Sequence, residues 1–178
     1  MTKQELLKDF TQNHLQIIHY IDHLPSQKFN YHSPGKWTTG QQLQHILLTI
    51  TPFPKVLASK VVIREKFGEI NRPTWDYSTV MENYLNTSLK APEPFLPETE
   101  VSYSQKEKII SDIHENLNQI QQIVDTYSEE ELDTLTLPHP LLGLVTIREM
   151  FYLMSYHPLH HQKQIEQLLN QDSNNNGK

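Results

Sequence analysis

The chain contains no cysteine. Disulfide staples and thiolate metal sites are thereby excluded, and any nucleophilic thiol must come from outside the protein. Glycine is scarce, with 5 in 178 residues against 11 prolines. That balance argues against a turn-rich β fold and against a Gly-rich phosphate loop. Positive charge is in deficit, 15 Lys and Arg facing 21 Asp and Glu for a net charge of −6. No basic stripe offers nucleic acid a footprint. Apolar runs are too short to span a bilayer, and the opening MTKQELLKDF lacks the apolar core of a signal peptide. The expectation is one cytoplasmic domain over residues 1–170, followed by a disordered polar tail, QDSNNNGK, over 171–178.

What the chain does have is histidine, ten in all, and a repeated helix-start signal. Ser or Thr followed three residues later by Glu or Gln forms a capping box, which satisfies the free N–H groups of a first turn. Thr2 with Glu5 opens a stripe running from Leu6 through Phe10, His14 and Ile17 to Ile21, which Pro25 ends. Thr38 with Gln41, or Thr39 with Gln42, leads into Leu43, Ile46, Leu47 and Ile50. Ser104 with Glu107 precedes Ile109, Ile113, Leu117, Ile120 and Val124. Thr146 with Glu149 precedes Met150, Leu153, His157, His161, Ile165 and Leu168. Steps of three and four put each set on one helix face. The pattern predicts an all-α four-helix bundle. A short helix is expected from Ser128 with Glu131. The long connection 55–103 is expected to hold further helices near 55–67 and 78–89, because so long a loop without structure is unusual.

The stretch YHPLHHQKQI, residues 156–165, carries the candidate chemistry. His157 and His161 are four apart, so they aim at one point, as paired zinc ligands do. His160 is rotated from His161 by about 100° and joins the same ion less readily. A metal needs a further ligand from another element, and His45 in GKWTTGQQLQHILLTITP offers one. Three neutral imidazoles would leave positions open for substrate or water. The alternative is that these histidines only satisfy core polar groups or reach solvent. His14, near an apolar stripe, remains a possible pocket residue.

GKWTTGQQLQHILLT resembles the second helix of the DinB/YfiT-like superfamily, with Trp37 ahead of the helix and His45 inside it. HPLLGLVTIREMFYLMSYHPLHHQKQIEQL resembles that superfamily's last helix and its His-Pro lead-in. The resemblance implies a four-helix bundle, often dimeric. It implies that His45, His157 and His161 bind a divalent cation, reported among members as nickel, zinc, manganese or iron. Gln164 matches the motif's glutamine and is expected to back a ligand or support packing. Characterised members use a low-molecular-weight thiol such as bacillithiol or mycothiol with a small electrophile. The catalytic residues are not given by the motif; Glu65, Glu149, Tyr152 and Tyr156 are candidates for acid–base work. Pro158 departs from many relatives, which carry an acidic residue there, and it predicts a bend or unwinding beside His157. Arg64, Lys66, Arg72 and Trp75 are expected to shape a cationic substrate mouth. Three functions follow: a metal-dependent thiol S-transferase, a metal-dependent hydrolase on the same triad, or a non-catalytic, stress-associated binding protein.

Overall fold

The computed structural model describes residues 1–88 and 90–175, with side chains to residue 170. Helix α1 (Lys3–Asp22) opens on the Thr2–Glu5 capping box. After the one-turn α2 (Ser26–Phe29) comes α3 (Thr39–Ile50), opened by the Thr38–Gln41 box. Three shorter helices follow, α4 (Phe53–Leu57), α5 (Lys60–Phe67) and α6 (Tyr77–Leu85). Helix α7 (Lys106–Asp125), the short α8 (Glu129–Thr134) and a hairpin of β1 (Thr136–His139) and β2 (Gly143–Thr146) precede α9 (Ile147–Asn175). The long helices α1, α3, α7 and α9 form a helical bundle, with α1 and α9 packed along each other and α3 against α7 and α9. Its core is built from the predicted stripes, including Leu6, Phe10, Ile17, Ile46, Ile113, Ile120 and Leu153, all buried, and is joined by the buried Phe151. No single helix among the described residues is long and apolar enough to cross a membrane.

Several local expectations are corrected. The box ahead of α7 is Ser102 with Gln105, not Ser104 with Glu107; it opens a 3₁₀ turn, Tyr103–Gln105, that runs into α7. The span 55–67 is split, because Ser59 leaves the helical conformation and its side chain caps α5. Helix α6 starts at Tyr77 behind an Asp76 cap and ends at Leu85. The last position of the span expected at 78–89 lies outside the described residues, as do 176–178 of the expected tail. Pro158 sits inside α9 without interrupting it. The proline takes a donor away from the Met154 carbonyl, yet the turns on both sides stay helical against α1.

The hairpin and the middle connection are tied to α9 by its first turn. Thr146 and Glu149 form the expected box, with the Thr146 N–H donating to Glu149 Oε2 (2.8 Å) and the Glu149 N–H to Thr146 Oγ1 (3.1 Å). The same carboxylate accepts two bonds from Arg72 (2.9 and 2.7 Å) and one from the Trp75 N–H (2.6 Å). Arg72 also stacks on the Trp75 ring, 3.4 Å from its centroid. One cap thus anchors a segment more than seventy residues away in sequence. Close approach is required at Gly40, where a Cβ would lie 2.6 Å from the buried Phe29 ring and 3.0 Å from the Val101 carbonyl.

Candidate metal centre

His45, at the middle of α3, faces α9. His157 and His161 project from successive turns of α9 to the same side. The structure brings the three together: His157 Nε2 lies 3.1 Å from His45 Nε2 and 3.0 Å from His161 Nε2, and one nitrogen of each lies within 4.8 Å of the others. All three residues are buried. His160 is turned away, its Nε2 bonded to Gln164 Nε2 (2.8 Å). Gln164 backs His160, and its amide also acts on His161, opposing the fall of that ring's pKa. Gln42, one turn ahead of His45 on the same face of α3, bonds His161 directly.

Hydrogen bonds fix the tautomers. His45 Nδ1–H donates to the Phe95 carbonyl (2.6 Å), and His161 Nδ1–H donates to Gln42 Oε1 (3.0 Å). Each ring then turns an Nε2 lone pair toward His157. His157 has one ring proton when neutral. On Nε2 that proton can satisfy one of the two facing lone pairs well, and it leaves Nδ1 as a buried acceptor. A cation at the centre would meet three lone pairs at once. Nitrogens sharing one ion at about 2.0–2.1 Å are about 3.0–3.4 Å apart, so the two observed separations fit. The outward bonds to a carbonyl and an amide oxygen are those that ligating histidines usually make.

Burial enforces the neutral state. Desolvation, reinforced by the neighbouring imidazoles, pushes His157 and His161 well below the ordinary histidine range, and desolvation lowers His45 against the bond to Phe95. Neutral imidazole is the ligating form. Behind the triad, His14 on α1 donates Nδ1–H to the Phe10 carbonyl (2.7 Å), and burial pushes it down to about 4. His14 Nε2 and His157 Nδ1 are both buried without a partner among the described residues.

The triad opens into a cavity of about 730 Å³, within the roughly 300–1,000 Å³ of small-molecule sites. Trp37 covers one side, its ring centroid 5.0 Å from that of His45 and stacked at 14° to His161. No Asp or Glu is among the described lining residues. The expected acid–base candidates are elsewhere: Glu149 is consumed by its cap and by Arg72, Tyr152 packs on Tyr77, and Glu65 is exposed. Tyr156 packs between Tyr84 and His160 outside the lining. The expected cationic mouth is also corrected. Arg64 pairs with Glu69 and Arg72 with Glu149, while Lys66 lies over Phe67; the cations that line the cavity are Lys36 and Lys90.

Gln42 was within reach of sequence reasoning, since it lies three residues from His45 and seven from Thr49, and all three line the cavity. The Phe95 carbonyl was not, because a backbone atom leaves no mark in residue identity. No curated protein sequence matches the chain. Residues 4–165 match the sequence pattern of the DinB superfamily. With its bundle, its three convergent histidines and that match over most of its length, the chain belongs to the DinB superfamily.

Proposed function

We propose that the chain is a metal-dependent enzyme that transfers a low-molecular-weight thiol to an electrophile. The donor set carries this reading: three buried imidazoles converge at the wall of a cavity that has no carboxylate in its described lining. Nickel, zinc, manganese and iron are the candidate ions for such ligands. When bound, the ion would supply Lewis acidity, lowering the pKa of a thiol or water on its open side.

The protein's own residues do the rest. His45, His157 and His161 would hold the ion as neutral ligands. The Phe95 carbonyl and Gln42 keep two of those rings in the ligating tautomer, so little reorganisation is needed on binding. Trp37 and the apolar wall exclude water from the reacting sulfur. In the transfer, a bond forms from sulfur to the electrophilic carbon. The bond to the leaving group breaks with its electron pair, and the thiol proton passes to solvent.

The chain has no cysteine, so the sulfur in such a transfer belongs to a co-substrate. One feature favours this over hydrolysis on the same triad: attack by water is helped by a positioned general base, the described lining contains no carboxylate, and its two histidines outside the triad are engaged, His160 with Gln164 and His139 Nδ1 with its own loop. The test is turnover of a chromogenic aryl halide by protein loaded with each candidate metal, with and without a small thiol, beside hydrolysis of an aryl ester. Thiol-dependent turnover that disappears in His157→Ala and persists in the exposed surface variant His114→Ala is expected. Ester hydrolysis without thiol would establish the hydrolase instead, and inactivity toward both would leave a binding protein.

A further inference from the structure

One face of α9 lines the cavity from Met150 through Met154, His157, His161 and Gln164 to Leu168. Eighteen steps of about 1.5 Å from Met150 to Leu168 make this wall about 27 Å long, with the triad near its middle. The two sides of the triad differ. N-terminal to the triad α9 lines the cavity with Met150, Leu153 and Met154, and Phe53, Val56, Phe67 and Leu137 add to the apolar lining. From His160 onward α9 lines it with His160, Gln164, Gln167 and Leu168. The cavity therefore has an apolar arm and a polar arm that meet where the three histidines converge.

The hairpin adds a polar group to the cavity lining. His139, the last residue of β1, turns Nδ1 toward its own loop and accepts from the N–H groups of Leu141 and Leu142, both at 3.2 Å. Backbone N–H groups only donate, so Nδ1 must carry a lone pair and the ring proton must sit on Nε2. Burial pushes His139 down to about 4, which keeps this tautomer neutral. Tyr84 packs edge-on against the ring at 5.8 Å. The ring forms part of the cavity wall, and Nε2 has no partner among the described residues. A neutral imidazole held this way is a fixed hydrogen-bond donor that brings no charge into an apolar space.

Resting on the transferase reading above, we propose that the electrophile is an uncharged, largely apolar molecule with one hydrogen-bond acceptor, bound in the N-terminal arm with that acceptor on His139 Nε2–H. The polar thiol then takes the other arm, and the two meet at the triad. A cationic substrate is disfavoured, because no described carboxylate in the wall would offset its desolvation.

The test is binding of nonan-2-one and of nonylammonium, followed by tryptophan fluorescence and calorimetry on metal-free and metal-loaded protein. The ketone is expected to bind both forms, at least tenfold more tightly than the ammonium ion. His139→Phe should weaken the ketone about fivefold, the equivalent of one net hydrogen bond, while leaving nonane-like apolar binding in place. Val56→Trp, which fills the arm at a half-buried position, should abolish ketone binding with helical content unchanged. Equal affinity for the ammonium ion, or ketone binding that is indifferent to both variants, would overturn the proposal. Because the metal-free protein is included, ketone binding without thiol transfer would count against the transferase reading alone.

Discussion

Replacing Gln42 with leucine removes one hydrogen-bond acceptor from the site at nearly constant volume. Gln42 Oε1 accepts from His161 Nδ1–H at 3.0 Å, and both side chains are buried. In the metal-free variant His161 can exchange tautomers and offer its proton to His157 Nε2, 3.0 Å away, so stability should change little. Metal binding forbids that exchange. Nε2 must then keep its lone pair and Nδ1–H is left as a buried donor without an acceptor, which costs about 1–3 kcal/mol. The cost falls on the loaded state alone, so metal affinity should drop by about 10–100-fold, as is usual for outer partners of ligating histidines. Gln42→Glu restores an acceptor, now ionised, and should recover the lost affinity. Competition against a chromophoric chelator at pH 7 measures this directly. Gln42→Leu that folds normally and binds metal like the parent chain would refute the tautomer account of the site.

Acid should weaken the fold through its buried histidines. His14 is held at about 4 in the folded chain, against about 6.5 unfolded. Its contribution is complete above pH 6.5 and is lost as the pH falls toward 4, about 3 kcal/mol in all; urea titrations at pH 7 and 4.5 should show the slope, and His14→Leu should make it shallower by that share, the other buried histidines keeping the rest. Arg72→Ala strips two bonds from the buried Glu149 carboxylate and should cost about 2–4 kcal/mol, seen as a lowered Tm, with Arg72→Lys recovering only part. Gly40→Ala forces a methyl group into Phe29 and should cost about 1–3 kcal/mol in the same assay. Chelation should leave the protein folded by circular dichroism, because the apolar core is complete without an ion; cooperative unfolding on chelation would make the metal structural.

The parts of the fold that were legible in sequence are those set by neighbours three or four residues apart. The boxes Thr2–Glu5, Thr38–Gln41, Ser128–Glu131 and Thr146–Glu149 all form, and the stripes behind them are the core. The i,i+4 pair His157 and His161 converges for the same reason, and His45, offered by the α3 sequence and again by the resemblance, is its partner. What depends on distant pairing was not legible. Glu149 reads as a helix cap, and only the fold shows Arg72 and Trp75 arriving at the same carboxylate. The hairpin is hidden because its strands are four residues each and its first contains Pro138, which demotes a strand pattern. Pro158 reads as a helix breaker, yet the turns beside it are held by packing that outweighs one missing bond. His139 reads as part of a lead-in, and its fixed tautomer depends on a three-residue loop folding back onto the ring.

Metal stoichiometry tests the central claim most directly. The purified, tag-free protein should carry or take up about one divalent ion per chain. That ion should be lost in His45→Ala, His157→Ala and His161→Ala and kept in His160→Ala, whose ring faces Gln164. A protein that takes up no nickel, zinc, manganese or iron, or one whose His157→Ala variant binds as before, would contradict it.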